Sequence, residues 1–174
     1  MSDWGLYIGR FQPLHNGHSH AIKYILSKVS NVIIAIGSAQ HSYTIINPFT
    51  AGERVKMIWY FLKDEGLLDK CILTQVPDTE QHYIWASLVK QYSPEFSIAF
   101  SNDPFTRMLL EAEGYIVESI PYINREVLNA TNIRRLIVED GDWRSLVPKS
   151  TIKIIEDIKG VERIKRLYAL QNKS

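Results

Sequence analysis

Two histidines stand three residues apart in Gly9-Arg10-Phe11-Gln12-Pro13-Leu14-His15-Asn16-Gly17-His18, close behind the start of the chain. Imidazoles at that spacing share one side of a first helical turn, beside its free N–H groups and the positive end of its dipole. Such a place attracts anions. His15 and His18 can donate hydrogen bonds to phosphate oxygens, Gly17 lets phosphates approach the backbone, and Arg10 adds a fixed charge. In-line transfer at phosphorus spreads negative charge over equatorial and leaving oxygens, and positioned donors stabilise that charge best where water is excluded. The spacing therefore points to a triphosphate site for nucleotidyl transfer. Neither common phosphate fingerprint occurs: the chain has no G-x-x-x-x-G-K-[ST] run and no G-x-G-x-x-G. From the residues alone, the two rings can also ligate a metal or simply cap a helix on the surface.

The elements that must hold this loop are readable from apolar periodicity. Leu6 to Gly9 reads as a strand and Gly17 to Lys28 as a helix with Ala21, Ile22, Ile25 and Leu26 apolar. Asn31 to Gly37 is a continuous β-branched run, as for a strand covered on both faces, and Ser38 to Phe49 is a polar loop. Thr50-Ala51-Gly52-Glu53 fits a capping box, opening a helix to about Lys63 with Val55, Ile58, Trp59 and Leu62 on one face. Strands follow at Lys70 to Val76, Phe96 to Phe100 and Tyr115 to Ile120, with helices at Tyr83 to Tyr92 and Pro104 to Ala112. Beyond Pro121 the pattern turns helical, over Thr131 to Glu139, Ser150 to Ile158 and an amphipathic tail from Val161 to Leu170. This alternation predicts an α/β, Rossmann-like doubly wound parallel sheet of five strands with C-terminal helices. Ligands then bind beyond the carboxyl ends of the strands, at the topological switch point.

Length and composition narrow the function classes. A chain of 174 residues is expected to form a single domain over 1–174, with an α/β core over 1–120 and a helical segment of the same domain over 121–174. The net charge of +1 argues against a broad basic face, so a nucleic-acid partner is not expected. Cys71 is the only cysteine, which excludes an intramolecular disulfide and a cysteine-based zinc cluster, and it reads as a buried small hydrophobe. Met1-Ser2-Asp3-Trp4 lacks the features of a leader and no apolar run approaches a membrane span, so a cytoplasmic protein without membrane contact is expected.

The loop from Gly9 to His18 resembles the H-x-G-H signature of nucleotidyltransferases that adenylylate or cytidylylate small phosphates. Gly37-Ser38-Ala39-Gln40, Asn47-Pro48-Phe49-Thr50-Ala51-Gly52-Glu53-Arg54, Ile84-Trp85, Asp142-Trp143-Arg144-Ser145-Leu146-Val147-Pro148 and Gly160-Val161-Glu162-Arg163 are similar to segments of one branch, the archaeal-type nicotinamide-mononucleotide (NMN) adenylyltransferases. The resemblance runs in order along nearly the whole chain. It implies that the phosphate of NMN attacks the α-phosphorus of ATP, giving NAD and pyrophosphate without a covalent intermediate. Mg²⁺ or another divalent cation would be carried by the ATP phosphates rather than by protein side chains.

Carried over residue by residue, the resemblance gives His15, His18, Arg10 and Arg134 catalytic roles. Gly9, Phe11, Gly17, Thr131 and Asn102 would bind ATP, with Thr131 and Arg134 in a second phosphate motif at Asn129-Ala130-Thr131-Asn132-Ile133-Arg134. Trp85, Ser38 and Gln40 would bind NMN and NAD, the nicotinamide ring stacking on Trp85 through cation–π contact. From the residues alone Trp85 equally fits the apolar face of its helix. Trp59 and Trp143 read as packing residues. The resemblance also implies a homo-oligomer, for which a hexamer is one form. Three positions depart from the family pattern: Ser101 where glycine usually precedes Asn102, Asn129-Ala130 in place of serine and glycine, and Tyr43 in place of histidine. No role is assigned to Asp103 or Tyr43. Other H-x-G-H transferases, acting on FMN, phosphopantetheine or alcohol phosphates, and a non-catalytic dinucleotide-binding sensor are the competing readings.

Overall fold

The computed structural model describes residues 3–171. Met1 and Ser2, part of the segment read as lacking a leader, and residues 172–174, the end of the expected domain, lie outside the described residues. The chain runs β1 (Trp4–Gly9), α1 (Asn16–Leu26), β2 (Asn31–Ile36), α2 (Ala51–Asp64), β3 (Cys71–Gln75), α3 (Trp85–Tyr92), β4 (Ile98–Phe100), α4 (Pro104–Ala112) and β5 (Ile116–Glu118). Three helices close it: α5 (Ala130–Val138), α6 (Lys149–Asp157) and α7 (Gly160–Gln171). All strand pairs are parallel, in the order β3-β2-β1-β4-β5. The chain winds outward from β1 through β2 to β3, then crosses back to lay β4 against the other side of β1. The order therefore reverses between β1 and β4, and the crevice beyond their carboxyl ends is the switch point.

Period-two alternation divides the core between the two faces of the sheet. Tyr7, Val32, Ile34 and Ile36 pack toward the larger cluster, with residues of α1, α2, α5, α6 and α7. Leu6, Ile33 and Ala35 face the smaller one, with Ala86 and Val89 of α3 and Leu110 of α4. Every residue from Val32 to Ile36 is fully buried, as the continuous apolar run predicts.

Three local readings need correction. The buried face of α2 is Arg54, Met57, Ile58, Phe61 and Leu62, so Trp59 falls on its flank. Trp59 is 40% exposed and lies edge-on to Tyr60 under the Lys63 ammonium rather than in the core. The last strand stops at Glu118 instead of Ile120, because the Ile120 backbone is taken by the Asn102 side chain. The helix expected from Tyr83 begins at Trp85, after a 3₁₀ turn over His82–Ile84. Trp143 is buried as a packing residue. Cys71 is half-buried, and burial pushes its thiol up to about 12, which makes it unreactive.

The capping box at α2 forms, with the Thr50 hydroxyl accepting from the Glu53 N–H and the Glu53 carboxylate accepting from the Thr50 N–H. Glu53 also receives both guanidinium N–H groups of Arg163, at 2.7 and 2.8 Å, tying α7 to the start of α2. Burial alone would raise the Glu53 carboxyl, but the hydrogen bonds from Arg163 and Thr50 hold it below its ordinary value. A depressed carboxyl contributes stability above its unfolded value and loses it as pH falls through the folded one. A double-mutant cycle with Glu53→Gln and Arg163→Met is expected to give a coupling of about 1–2 kcal/mol near neutral pH, vanishing in acid. Urea unfolding checks it.

Candidate functional site

Two cavities open at the switch point and share a wall. The first, of about 390 Å³, gathers Arg10, Phe11, His15, Gly17, His18, Asn102, Thr131 and Arg134. The second, of about 530 Å³, is lined by Gly9, Ser38 and Trp85, with Asp78, His82 and Phe105. Arg10, Ser101 and Asp103 border both. Residues as distant in sequence as Tyr7 and Arg134 thus meet at one crevice, and of the residues given catalytic or ligand-binding roles from sequence only Gln40 borders neither cavity.

The two histidines cap α1 reciprocally. His15 is the N-cap, and its Nδ1 accepts from the Gly17 N–H at 3.1 Å. His18 stands at the third helical position, and its Nδ1 accepts from the His15 N–H at 3.2 Å. A backbone donor at each Nδ1 forces the proton onto Nε2, so both rings are neutral and each presents one N–H. The ring centroids lie 3.7 Å apart, with Phe11 packed 4.6 Å from His18. Burial pushes His15 down to about 4, and burial followed by the neighbouring His15 holds His18 well below the ordinary imidazole range. A Cβ on Gly17 would sit 2.9 Å from the His15 ring, and one on Gly9 would strike Phe11. Glycine is required at both by close approach.

Arg134 faces the histidines from α5. Its residue is 4% exposed, Nη1 donates to the Gln12 carbonyl at 2.9 Å, Nη2 donates to the Thr131 hydroxyl at 3.3 Å, and Nε is buried without a partner. None of the ion pairs among the described residues includes it. Burial lowers its pKa, which Tyr168 opposes, through charge first and a hydrogen bond second, and the charge of Arg10 reinforces. A buried cation without a carboxylate, at a cavity wall, is built for an anion. Asn129 caps α5 by accepting from the Asn132 N–H, which leaves the first amides of the helix to the cavity.

Three side-chain amides lock the loops, each donating one hydrogen bond to, and accepting one from, the backbone of one distant residue. Gln12 pairs with both backbone groups of Phe49, Gln40 with those of Asp78, and Asn102 with those of Ile120, at 2.7–3.0 Å. Each amide keeps a second N–H and a second lone pair beyond these bonds, and Asn102 still borders the first cavity. Gln40 positions Asp78, while Asn102 joins the ends of β4 and β5. Arg54, to which the sequence reading gave no role, is fully buried on α2. Its guanidinium donates to the carbonyls of Arg10 at 2.9 Å, Gly37 at 2.8 Å and Ser38 at 3.1 Å. Burial pushes it down to about 10, partly offset by Asp78. It fixes the ends of β1 and β2, hence the wall between the cavities. The one signal in the sequence was a cation on the buried stripe of an amphipathic helix. Tyr43 lies under the Arg163 guanidinium at 4.5 Å, away from both cavities.

Residues 6–156 match the cytidylyltransferase-like family. A nicotinamide-nucleotide adenylyltransferase of Saccharolobus solfataricus is 46% identical over 94% of this chain and 95% of its own. One from Thermococcus sibiricus is 45% identical over 94% of this chain and 88% of its own. The chain belongs to the nicotinamide-nucleotide adenylyltransferases. A bifunctional NMN adenylyltransferase/ADP ribose pyrophosphatase from Francisella tularensis, in a crystal structure with AMP and a manganese ion, shares the fold of this adenylyltransferase at a TM-score of 0.76 and 23% identity. The chain covers 54% of that protein's length.

Among the described residues, no helix of this nucleotidyltransferase is long and apolar enough to cross a membrane, and no group of three metal-ligating side chains occurs. The depressed His15 has a consequence for stability. Between 6.5 and about 4 the unfolded chain binds the proton first, so stability is full above 6.5 and declines as pH falls toward about 4. His15→Asn, which keeps a capping side chain, is expected to flatten this decline in urea unfolding. An unchanged pH slope would contradict a neutral His15.

Proposed function

We propose that this chain transfers the adenylyl group of ATP to nicotinamide mononucleotide, forming NAD and pyrophosphate. The observation that carries this reading is the paired crevice, with a cation-rich cavity around His15, His18 and Arg134 joined through Arg10 to a second cavity around Trp85. The triphosphate occupies the first. The acceptor occupies the second, with its cationic pyridinium over the Trp85 indole, an arrangement favourable by about 0.5–2 kcal/mol.

In the reaction, a phosphate oxygen of NMN forms the new bond to the α-phosphorus as the bond to the pyrophosphate oxygen breaks. No general base is needed, since a phosphate monoester with a second pKa of about 6 is already an anion near neutral pH. The Nε2–H groups of His15 and His18 donate to oxygens that gain charge, and because the rings are fixed by their Nδ1 bonds they need no reorganisation. Arg134, with Thr131 and the first amides of α5, takes the β- and γ-phosphates, and Arg10 spans acceptor and donor. A divalent cation carried by the ATP phosphates would supply neutralisation of phosphate charge, and one carboxylate, Asp103, borders both cavities. Assembly of several copies belongs to the same reading, with Ile116 of the edge strand β5 and Met108 of α4 both exposed.

Incubated with ATP, Mg²⁺ and a panel of phosphates, the protein is expected to release pyrophosphate with NMN or its deamido form and not with FMN, phosphopantetheine or alcohol phosphates. Pyrophosphate release with none of them would favour a dinucleotide sensor. His18→Ala is expected to lower kcat about a hundredfold with little change in KM for ATP, and unchanged turnover would remove His18 from the mechanism.

A further inference from the structure

Nicotinamide mononucleotide and its deamido form share the phosphate, the ribose and the cationic ring, and differ only where one carries a carboxamide and the other a carboxylate. Discrimination between them has to come from the charges around the ring. In the second cavity those are Asp78, Asp103, His82 and Arg10.

These four are not equally free. Asp103 caps α4, its carboxylate accepting from the Thr106 N–H at 2.7 Å, and it borders the triphosphate cavity as well. Arg10 likewise borders both cavities, and the triphosphate competes for its charge. His82 stands edge-on to Phe105, with ring centroids 5.1 Å apart. Asp78 differs from all three. Gln40 binds both its N–H and its carbonyl, fixing the backbone, while its carboxylate has a loose approach of 3.7 Å from His41 and a charge interaction with the Arg54 guanidinium, whose N–H groups are given to backbone carbonyls. The result is a carboxylate whose backbone is held in place on the wall of the Trp85 cavity and which accepts no hydrogen bond from the described residues.

We propose that Asp78 is the specificity-determining residue of the acceptor cavity, selecting the carboxamide of nicotinamide mononucleotide and rejecting the carboxylate of the deamido nucleotide. The proposal rests on the reading of the second cavity as the acceptor site. A carboxamide offers an N–H donor, which a carboxylate accepts in a charge-assisted hydrogen bond. The deamido nucleotide offers no donor and brings a like charge, so the same group that attracts one substrate repels the other. Gln40 acts through Asp78, as a positioning residue. The negative cavity wall also favours the pyridinium charge, but equally for both nucleotides, so that effect cancels in the comparison.

The test is the ratio of kcat/KM for the amide over the deamido nucleotide, measured with saturating MgATP for the natural protein, Asp78→Asn and Asp78→Glu. The natural protein is expected to favour the amide. Asp78→Asn lowers the ratio about tenfold, chiefly through a lower KM for the deamido nucleotide, as expected for removal of one like charge at a partly exposed site. Asp78→Glu keeps the preference, and an unchanged KM for ATP in both variants shows the fold intact. An unchanged ratio in Asp78→Asn, or a natural preference for the deamido form, overturns the proposal while leaving adenylyl transfer standing. No turnover with either nucleotide would overturn the assignment of the reaction itself, and the proposal with it.

Discussion

Everything at the phosphate end of this crevice depends on how α1 begins. A helix leaves its first N–H groups without partners, and most helices meet them with a hydroxyl, an amide or a carboxylate. Here two imidazoles do so for each other's segment, His15 for Gly17 and His18 for His15. The same two bonds that close the helix also fix the tautomer and the angle of both rings. A structural requirement and a chemical one are met by the same atoms, which is why the rings can be buried and neutral in a site meant for anions. Charge comes from the arginines instead, and the histidines contribute direction.

The two buried arginines show how environment divides structural from chemical roles. Arg54 aims its guanidinium at three carbonyls and a helix start, and these hold the loops that separate the cavities. Arg134 is also buried, but it has one carbonyl, the hydroxyls of Thr131 and Tyr168, an unpartnered Nε and an open cavity beside it. A cation removed from water is unfavourable unless it is surrounded by acceptors. Arg54 has them in the protein, and Arg134 awaits them from a ligand. The amide clamps made by Gln12, Gln40 and Asn102 serve the same end, since each one holds a loop beyond a strand end where the sheet's own ladder has stopped.

Alternation of apolar runs was enough to read the order of strands and helices, because each element buries a continuous face and the period reveals which kind it is. His15, His18, Thr131 and Arg134, which line one cavity, stand out as candidates because their motifs are local. What local sequence could not reveal is where a side chain's partner lies. Gln40 and Asn102 stand just beyond strand ends, and nothing local shows that each also holds a backbone segment, 38 and 18 residues away. Trp59 fitted an apolar helical stripe, and only the position of the sheet decides that the buried stripe runs through Met57, Ile58 and Phe61 instead. Arg54 was invisible for the opposite reason, since a charged residue is ordinarily assigned to the surface.

The state of the two rings is the most direct point of test. Nitrogen-15 NMR of the ligand-free protein, with the His15 and His18 signals assigned by substitution, reads protonation at Nδ1 and Nε2 separately. Both rings are expected to be neutral at neutral pH with the proton on Nε2, and His15 to stay so until the pH approaches about 4. An imidazolium at either position at neutral pH, or a proton on either Nδ1, would contradict the reciprocal cap and the direction of donation derived from it.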